Sequence, residues 1–449
     1  MELEISQALV EKLKGLIEEE DQQSLLTLLQ DFPEQDISMV LMEIEYEEAA
    51  YVLRLFDTEF AAQILKEIEP DFRNKMLKGF SSADMADFIE YMVSDDAVDI
   101  INEQSVKKGE EVISLIKNIE KANYIKDLLH YDEDCAGGLM AKELIKANIN
   151  WTIKQTIEEI RKQTKSVEKI YSVYVVDNYD KLLGRVSLKR IILSEDDAKI
   201  SEIYDNEVIA VESYINEVEV AEIMSKYDLD AIPVVNIQGQ LLGRITIDDI
   251  VDVITEQADL ERQAMAGITE DVEEDDTIWL LSKSRLPWLI IGMLGGIAGA
   301  QFLGMFEKFI ALVPAMAFFI PLITATGGNV GIQSSSIVVQ SLARGNGDDS
   351  FSFARFFKSF IVSLINGIVL ASIVFAVNYF VFHEELSIVL VVSFSLLSVV
   401  VFASFLGTIT PLVLDRFGVN PAIASGPFIT TANDLLGLAI YFSLAYLLY

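Results

Sequence analysis

The 449-residue sequence predicts a multidomain membrane protein in four parts. They are an acidic α-solenoid N-domain (residues 1–130), a duplicated α+β pair (131–253, divided into 131–195 and 196–253), an acidic connecting helix (254–281) and a five-helix transmembrane domain (282–449). Three observations predict this order: a twelve-residue repeat, a duplication of about sixty residues behind it, and five long apolar stretches at the end. Charge divides the chain at the same place. Seven of the 34 basic and seven of the 70 acidic residues lie from Ser282 onward, so 27 basic and 63 acidic residues precede it and carry the whole net charge of −36. Such a front half repels nucleic acid and anionic lipid and favours cations. The single cysteine, Cys135, excludes internal disulfides and Cys-rich metal sites. No apolar stretch opens the chain, so the acidic half is expected in the cytoplasm.

The solenoid begins after a helical lead-in over residues 1–30, where Leu9, Leu13, Leu16 and Ile17 keep helical spacing. From Pro33 the chain divides into twelves: PEQDISMVLMEI, EYEEAAYVLRLF, DTEFAAQILKEI, EPDFRNKMLKGF, SSADMADFIEYM and VSDDAVDIINEQ. Each unit opens on capping or acidic residues and closes on an apolar helical face. One such helix cannot bury its face alone, so the units must stack. Acids in a first turn stabilise the helix dipole, which accounts for Glu59, Asp84, Asp95 and Asp96. Asp95 and Asp99 also lie four apart on one face, where like charges repel unless a cation sits between them.

Two segments then repeat. YSVYVVDNYDKLLGRVSLKRII from Tyr171 and DAIPVVNIQGQLLGRITIDDIV from Asp230 each read as an apolar strand, a turn, a second strand and a helix start. The shared G-R-[VI]-[ST] strand resembles a tandem pair of cystathionine β-synthase (CBS) domains. That resemblance implies adenine-nucleotide binding through a Ser/Thr and an Asp three residues later. Thr246 and Asp249 satisfy this in the second copy; the first has Arg190 after Ser187. Beyond it, Asp248, Asp249, Asp252, Glu256 and Asp259 recur at helical spacing, an acidic helix heading for the membrane.

The apolar stretches are Leu286 to Phe306, Phe309 to Leu342, Phe351 to Phe382, Leu386 to Leu414 and Pro421 to Leu448. Each can cross a hydrocarbon core of about 30 Å. With the N-terminus inside, Lys283, Arg285, Arg344, Arg355, Lys358 and Arg416 are cytoplasmic, only Lys308 is outside, and the C-terminus is outside. Five spans leave no internal inverted repeat, so a two-fold homodimer with the pore on its axis is expected. The first span carries Gly292, Gly295, Gly296 and Gly299, spaced for helix packing. In the second, Gly327, Gly328 and Gly331 are expected to loosen a helix that also holds Asn329 and Gln333.

The last span has one carboxylate, Asp434, among Thr430, Thr431, Asn433 and Gly437. A charge at membrane depth costs a few kcal/mol, so it faces water, an ion or a partner rather than lipid. A basic partner is hard to find, because the Lys and Arg residues of this part sit outside the apolar runs or, as Arg355 and Lys358 do, at the cytoplasmic end of one. Mg²⁺ gives up water reluctantly and is held through its shell by one or two carboxylates, which suits two Asp434 side chains across a dimer axis.

Taken together, the acidic helical domain, the CBS pair, the acidic helix, five spans, G-G-N-x-G-x-Q from Gly327 and N-D-x-x-G from Asn433 resemble the MgtE family of magnesium channels. The resemblance implies a plasma-membrane homodimer whose pore acid corresponds to Asp434, and a cytosolic part that binds Mg²⁺ and closes the pore. It implies a sensor role for Asp249 and Asp252, and for Asp95, Asp99 and Asp228. Two positions depart from the family pattern, Asn420 and Asn216, where acids are expected; Glu217 and Glu219 stand beside the latter. Competing readings are a proton- or cation-coupled divalent carrier (Mg²⁺ or Co²⁺) and a membrane-tethered nucleotide sensor. An enzyme is disfavoured, because His130 and His383 stand apart from any acid–base or nucleophile group.

Overall fold

Helices begin every twelve residues where the repeat begins. After α1 (Gln7–Glu18) and α2 (Gln22–Leu29) come α3 (Glu34–Met42), α4 (Tyr46–Leu53), α5 (Thr58–Lys66), α6 (Pro70–Leu77), α7 (Ser82–Ile89) and α8 (Ser94–Asn102), then α9 (Val106–Leu115) and α10 (Ile119–Leu128). This is a computed structural model; it describes residues 6–164, 169–270, 272, 276–343 and 353–448, in two units, Met1–Ile254 and Thr255–Tyr449. The repeat's polar openings are caps. Asp57 accepts from the Phe60 amide at 3.1 Å, and Ser81 and Asp84 cap each other reciprocally. Helices of eight or nine residues do not stand alone in water. Alternate ones stack, α3 on α5, α4 on α6 and α5 on α7, burying Ile37, Leu41, Leu53, Ile64, Leu65 and Ile89 in one core. The buried Arg73 joins three helices: it donates to Glu103 at 3.0 and 3.2 Å and to the Lys66 carbonyl at 3.1 Å.

Two three-stranded sheets follow with the same topology. β1 (Ile145–Asn148) runs parallel to β2 (Val173–Val176), which pairs antiparallel with β3 (Leu182–Val186). β4 (Val211–Glu212), β5 (Ala231–Val235) and β6 (Leu241–Thr246) repeat this arrangement. Helices α12 (Ile153–Gln163) and α13 (Leu188–Leu193) belong to the first copy, and α15 (Glu217–Tyr227) to the second. The short helices α11 (Ala136–Leu139) and α14 (Ile200–Ile203) lead into edges that are exchanged. Ala141, ahead of β1, bonds both ways with Arg244 of β6, at 2.8 and 2.9 Å. Asp205, ahead of β4, does the same with Arg185 of β3. The glycine of each G-R-[VI]-[ST] strand permits the crossing. A Cβ at Gly184 would overlap the Asp205 carbonyl, and one at Gly243 would lie 2.7 Å from that of Ala141.

The acidic helix α16 (Ile247–Ala266) starts directly at the end of β6 and stops short of the expected residue 281, because Gly267, at φ +81°, ends it in the left-handed conformation. In the second unit, its last turn packs on the start of the final span: a Cβ at Gly426 would lie 2.5 Å from the Met265 carbonyl, and one at Gly267 would lie 2.8 Å from Pro427. Thr269 bonds the Ser284 carbonyl through its amide and hydroxyl, and Lys283 pairs with Glu270 at 2.6 Å.

Among the described residues, five helices are long and apolar enough to cross a membrane. They include α17 (Ile278–Met305) and, after the short α18 (Glu307–Leu312) and α19 (Ala315–Phe318), α20 (Ile320–Ala343). α21 (Phe353–Ala376), which ends in one π-helical turn, α22 (Leu386–Arg416) and α23 (Pro427–Leu448) complete the set. The glycines of the second span do not loosen it. α20 runs unbroken through them, and they admit neighbours instead: Gly327 faces Val399, Gly328 faces Thr430 and Gly331 faces Asn433. Tyr441, wholly buried, ties α23 to α19 by donating to the Met316 carbonyl at 2.9 Å.

Candidate functional site

In the membrane unit, α20 and α23 pack against each other, and the polar residues predicted there separate into two groups. Asn329 and Gln333, one turn apart, are exposed on α20, and Asp434 is half-buried on α23. All three reach the surface of the single chain. Polar groups at that depth stay out of lipid unless another surface covers them. Thr430 and Thr431 are half-buried; Thr430 donates to the Gly426 carbonyl at 3.3 Å, and the Thr431 methyl fills the notch at Gly295.

The other two, Asn433 and Gly437, are buried within the single chain. Gly437 lies under Ile323 and Val399 in the helix packing. Asn433 is 1% exposed, wedged against Gly331, and neither end of its amide has a hydrogen-bond partner among the described residues. An unmet buried amide costs roughly 1–3 kcal/mol. It sits one residue before Asp434.

In the first unit, the start of α8 and the start of α16 meet. Asp95, Asp96, Asp248 and Asp249 share the lining of a cavity of about 60 Å³ with Thr246, Lys66 and Arg244. Burial first, then the charges of Asp96, Asp249 and Glu143, push the Asp95 carboxyl well above the usual carboxylate range. Asp249 is pushed up to about 6 by burial, against two hydrogen bonds from Thr246, with Asp248 and Asp96 adding to the rise. Asp252 is raised by burial and then by Asp248. Asp99, exposed at the edge, is raised by desolvation and Asp96, though water screens it. Glu143 escaped the sequence reading, because a lone acid before a strand carries no pattern. It is 5% exposed; its Oε2 accepts from the Ser94 amide and hydroxyl at 3.1 and 2.6 Å, and its Oε1 has no partner among the described residues.

A partly buried nest of acids, with the buried Glu143 and its unmet oxygen near Asp95, fits a cation. Among the described residues no three His, Cys, Asp or Glu side chains converge as a direct coordination shell. The repulsion has a pH signature. Raised folded-state values mean the cation-free cluster is fully stable below the unfolded value near 4 and loses stability as pH rises through 6. Hydrogen exchange of the full chain without divalent cations, corrected for intrinsic rate, is therefore expected to show α8 and the first turn of α16 opening more readily at pH 8 than at pH 5, by on the order of a few kcal/mol. Equal protection at both values would remove the strain from the cluster.

The remaining predicted ligands stand elsewhere. Glu217 and Asp228 occupy opposite ends of α15, roughly 16 Å apart by helical rise, and neither lines this cavity. Glu256 and Asp259 lie on the later turns of α16, Asp259 pairing with Arg262 at 2.5 Å. Asn216 and Asn420 are both helix caps, accepting from Val218 and Ala422 at 3.0 and 2.8 Å, a task Asn performs as well as Asp. Thr246 gives its amide and hydroxyl to Asp249 at 3.0 and 2.8 Å, so this carboxylate already serves as a cap, and the cavity beside it holds a few waters rather than a nucleotide.

Comparison with known proteins agrees in order and extent. Residues 320–444 match the MgtE family, described as divalent cation transporter, residues 32–134 the MgtE intracellular N domain, and residues 136–195 and 200–256 the CBS domain. The magnesium transporter MgtE of Enterococcus faecalis is 35% identical over 327 residues, 73% of this chain and 72% of that one. The magnesium transporter MgtE of Thermus thermophilus is 33% identical over 326 residues, 72% of each. A crystal structure of the cytosolic domain of the Mg²⁺ channel MgtE in complex with ATP is similar at a TM-score of 0.51 and 28% identity, covering 54% of this chain and 99% of that one.

Proposed function

Because this chain belongs to the MgtE family of divalent cation transporters, we propose that it is a Mg²⁺ channel. It admits Mg²⁺ across the plasma membrane as a homodimer, N-terminus inside and C-terminus outside, and is closed by Mg²⁺ bound to its acidic cytosolic part. The observation that carries this reading is Asp434, a half-buried carboxylate on a span that packs against α20, the helix on which Asn329 and Gln333 are exposed. A second copy covering that surface removes three polar groups from lipid at once and sets two carboxylates across a shared axis. One carboxylate per subunit attracts a hydrated divalent ion without trapping it.

Closure follows from the acidic cluster. Asp95, Asp249 and Glu143, with Asp96, Asp99 and Asp252 around them, would hold regulatory Mg²⁺ through water, and the bound ion offsets the burial and like-charge repulsion that raise the Asp95 and Asp249 carboxyls. Low Mg²⁺ lets the acids separate. α16 begins at this cluster, and its last turn packs on the start of α23 at Gly426 and Pro427, so movement at one end of α16 reaches the span that carries Asp434. Several weak sites are needed for a sharp response. ATP at Thr246 and Asp249 would require the small cavity to open, as the relative's ATP complex supports for its own domain.

The alternative is a carrier that couples the divalent ion to protons through Asp434. The two separate in liposomes containing a Mg²⁺ indicator. A channel passes Mg²⁺ down its gradient with a current, at a rate independent of an imposed proton gradient. Flux that follows the proton gradient would replace the channel with the carrier, and no flux at all would sink both.

A further inference from the structure

A second cavity in the membrane unit opposes Mg²⁺ rather than attracting it. It measures about 580 Å³ and lies between α20, α21 and α22, with no carboxylate among the described residues that line it. Two basic side chains one turn apart on α21, Arg355 and Lys358, stand at its polar end, and Arg355 donates to Ser341 of α20 at 3.4 Å. The floor is hydroxyl. Ser359 shares hydrogen bonds with Ser404 at 3.3 Å and Thr408 at 3.0 Å, and Ser334 donates to Ser404 at 3.0 Å. Ser404 and Thr408 are more than nine-tenths buried. The rim is apolar and open: Ile337 is 69% exposed and Val362 49%.

Two positive charges beside buried hydroxyls exclude a divalent cation and select an anion. The size matches a small-molecule site. The apolar rim decides which anion, since an inorganic ion has no use for exposed Ile337 and Val362 whereas acyl chains do. We infer that this cavity is a specific site for the headgroup of one anionic phospholipid, its phosphate held by Arg355 and Lys358 over the hydroxyl floor and its chains running past Ile337 and Val362. In the orientation proposed above, the headgroup belongs to the cytoplasmic leaflet, where anionic lipids and basic pockets between spans meet. The front half repels that leaflet by its charge, so this pocket gives the neutral membrane part its own hold on it.

The test uses the full chain, purified in detergent and examined by native mass spectrometry after addition of phosphatidylglycerol or phosphatidylcholine. Wild type is expected to retain phosphatidylglycerol and to lose phosphatidylcholine. The double substitution Arg355→Gln, Lys358→Gln is expected to weaken retention about 30-fold, the effect of two interfacial basic residues lost. The charge-preserving pair Arg355→Lys, Lys358→Arg keeps it, and elution at the wild-type position shows that each variant is folded. Equal retention by wild type and the Gln pair, or equal retention of both lipids, overturns the inference. Displacement of the lipid by millimolar inorganic phosphate would assign the site to a free anion and overturn the lipid reading. Loss of self-association in the Gln pair with lipid retention unchanged would make the cavity a contact between copies instead.

Discussion

Asp434→Asn is expected to lower Mg²⁺ flux into liposomes by at least about a hundredfold while insertion and helix content stay unchanged. Asn is nearly the same size as Asp, so the packing of α23 survives and only charge is removed. In a two-fold assembly the substitution deletes two carboxylates at once. Groups of this kind at membrane depth are each worth roughly 2–3 kcal/mol, and each 1.4 kcal/mol is tenfold in occupancy. Asp434→Glu keeps the charge on a longer stem and is expected to retain part of the flux with altered preference among divalent ions. The measurement is the initial rate of indicator response at a fixed Mg²⁺ gradient, normalised to protein inserted. Wild-type flux through Asp434→Asn would mean that ions pass elsewhere. Loss of flux together with loss of insertion would have to be separated from it by the neighbouring control Leu436→Ala, an exposed apolar position.

Neutralising the cytosolic cluster is expected to act in the opposite direction. Asp95→Asn with Asp249→Asn removes two of the groups that would hold the bridging ion, while the repulsions of Asp96 on Asp99 and of Asp248 on Asp252 remain to separate the cluster. The gate should then remain open at Mg²⁺ concentrations that close the wild type, with half-closure shifted upward about tenfold or more, since a ligand shifts an equilibrium only by its differential affinity for the two states. Glu143→Gln is expected to move the midpoint the same way by less, because Ser94 continues to hold its other oxygen. Single-channel open probability against cytosolic Mg²⁺ reads this directly. An unchanged midpoint would leave the cluster with a purely structural role and move the sensor to the later turns of α16, at Glu256 and Asp259.

What could be read from residues alone was whatever is written locally. The solenoid is the clearest case. Each twelve opens on its own cap and closes on its own apolar face, so units cut at Pro33, Glu45, Asp57, Glu69, Ser81 and Val93 lie one residue ahead of helices starting at Glu34, Tyr46, Thr58, Pro70, Ser82 and Ser94. The strand pairs and five apolar stretches follow from periodicity and length in the same way. The errors arise where a residue's role is set by something distant. Gly327, Gly328 and Gly331 read as a weak point in a helix, and only Thr430, Asn433 and Val399 on other helices reveal them as docking notches. Asn433 shows its polarity in the sequence but not its burial, which neighbouring helices set. Gly267 ends α16 short of the 254–281 segment assigned to the connecting helix. Glu143 shares no spacing with Asp95 or Asp249, and Asn216 and Asn420 look like lost ligands until their amide partners are seen.

Ala141 and Asp205 each complete the sheet of the copy they do not precede. The two halves of the pair are therefore hostage to one another. Deleting either copy with its leading segment would strip the survivor of its outer hydrogen bonds and leave β3 or β6 as a bare edge, the template for pairing between chains. Half of this pair should aggregate rather than fold, and lineages that dispense with regulation should discard both copies in one step, never one.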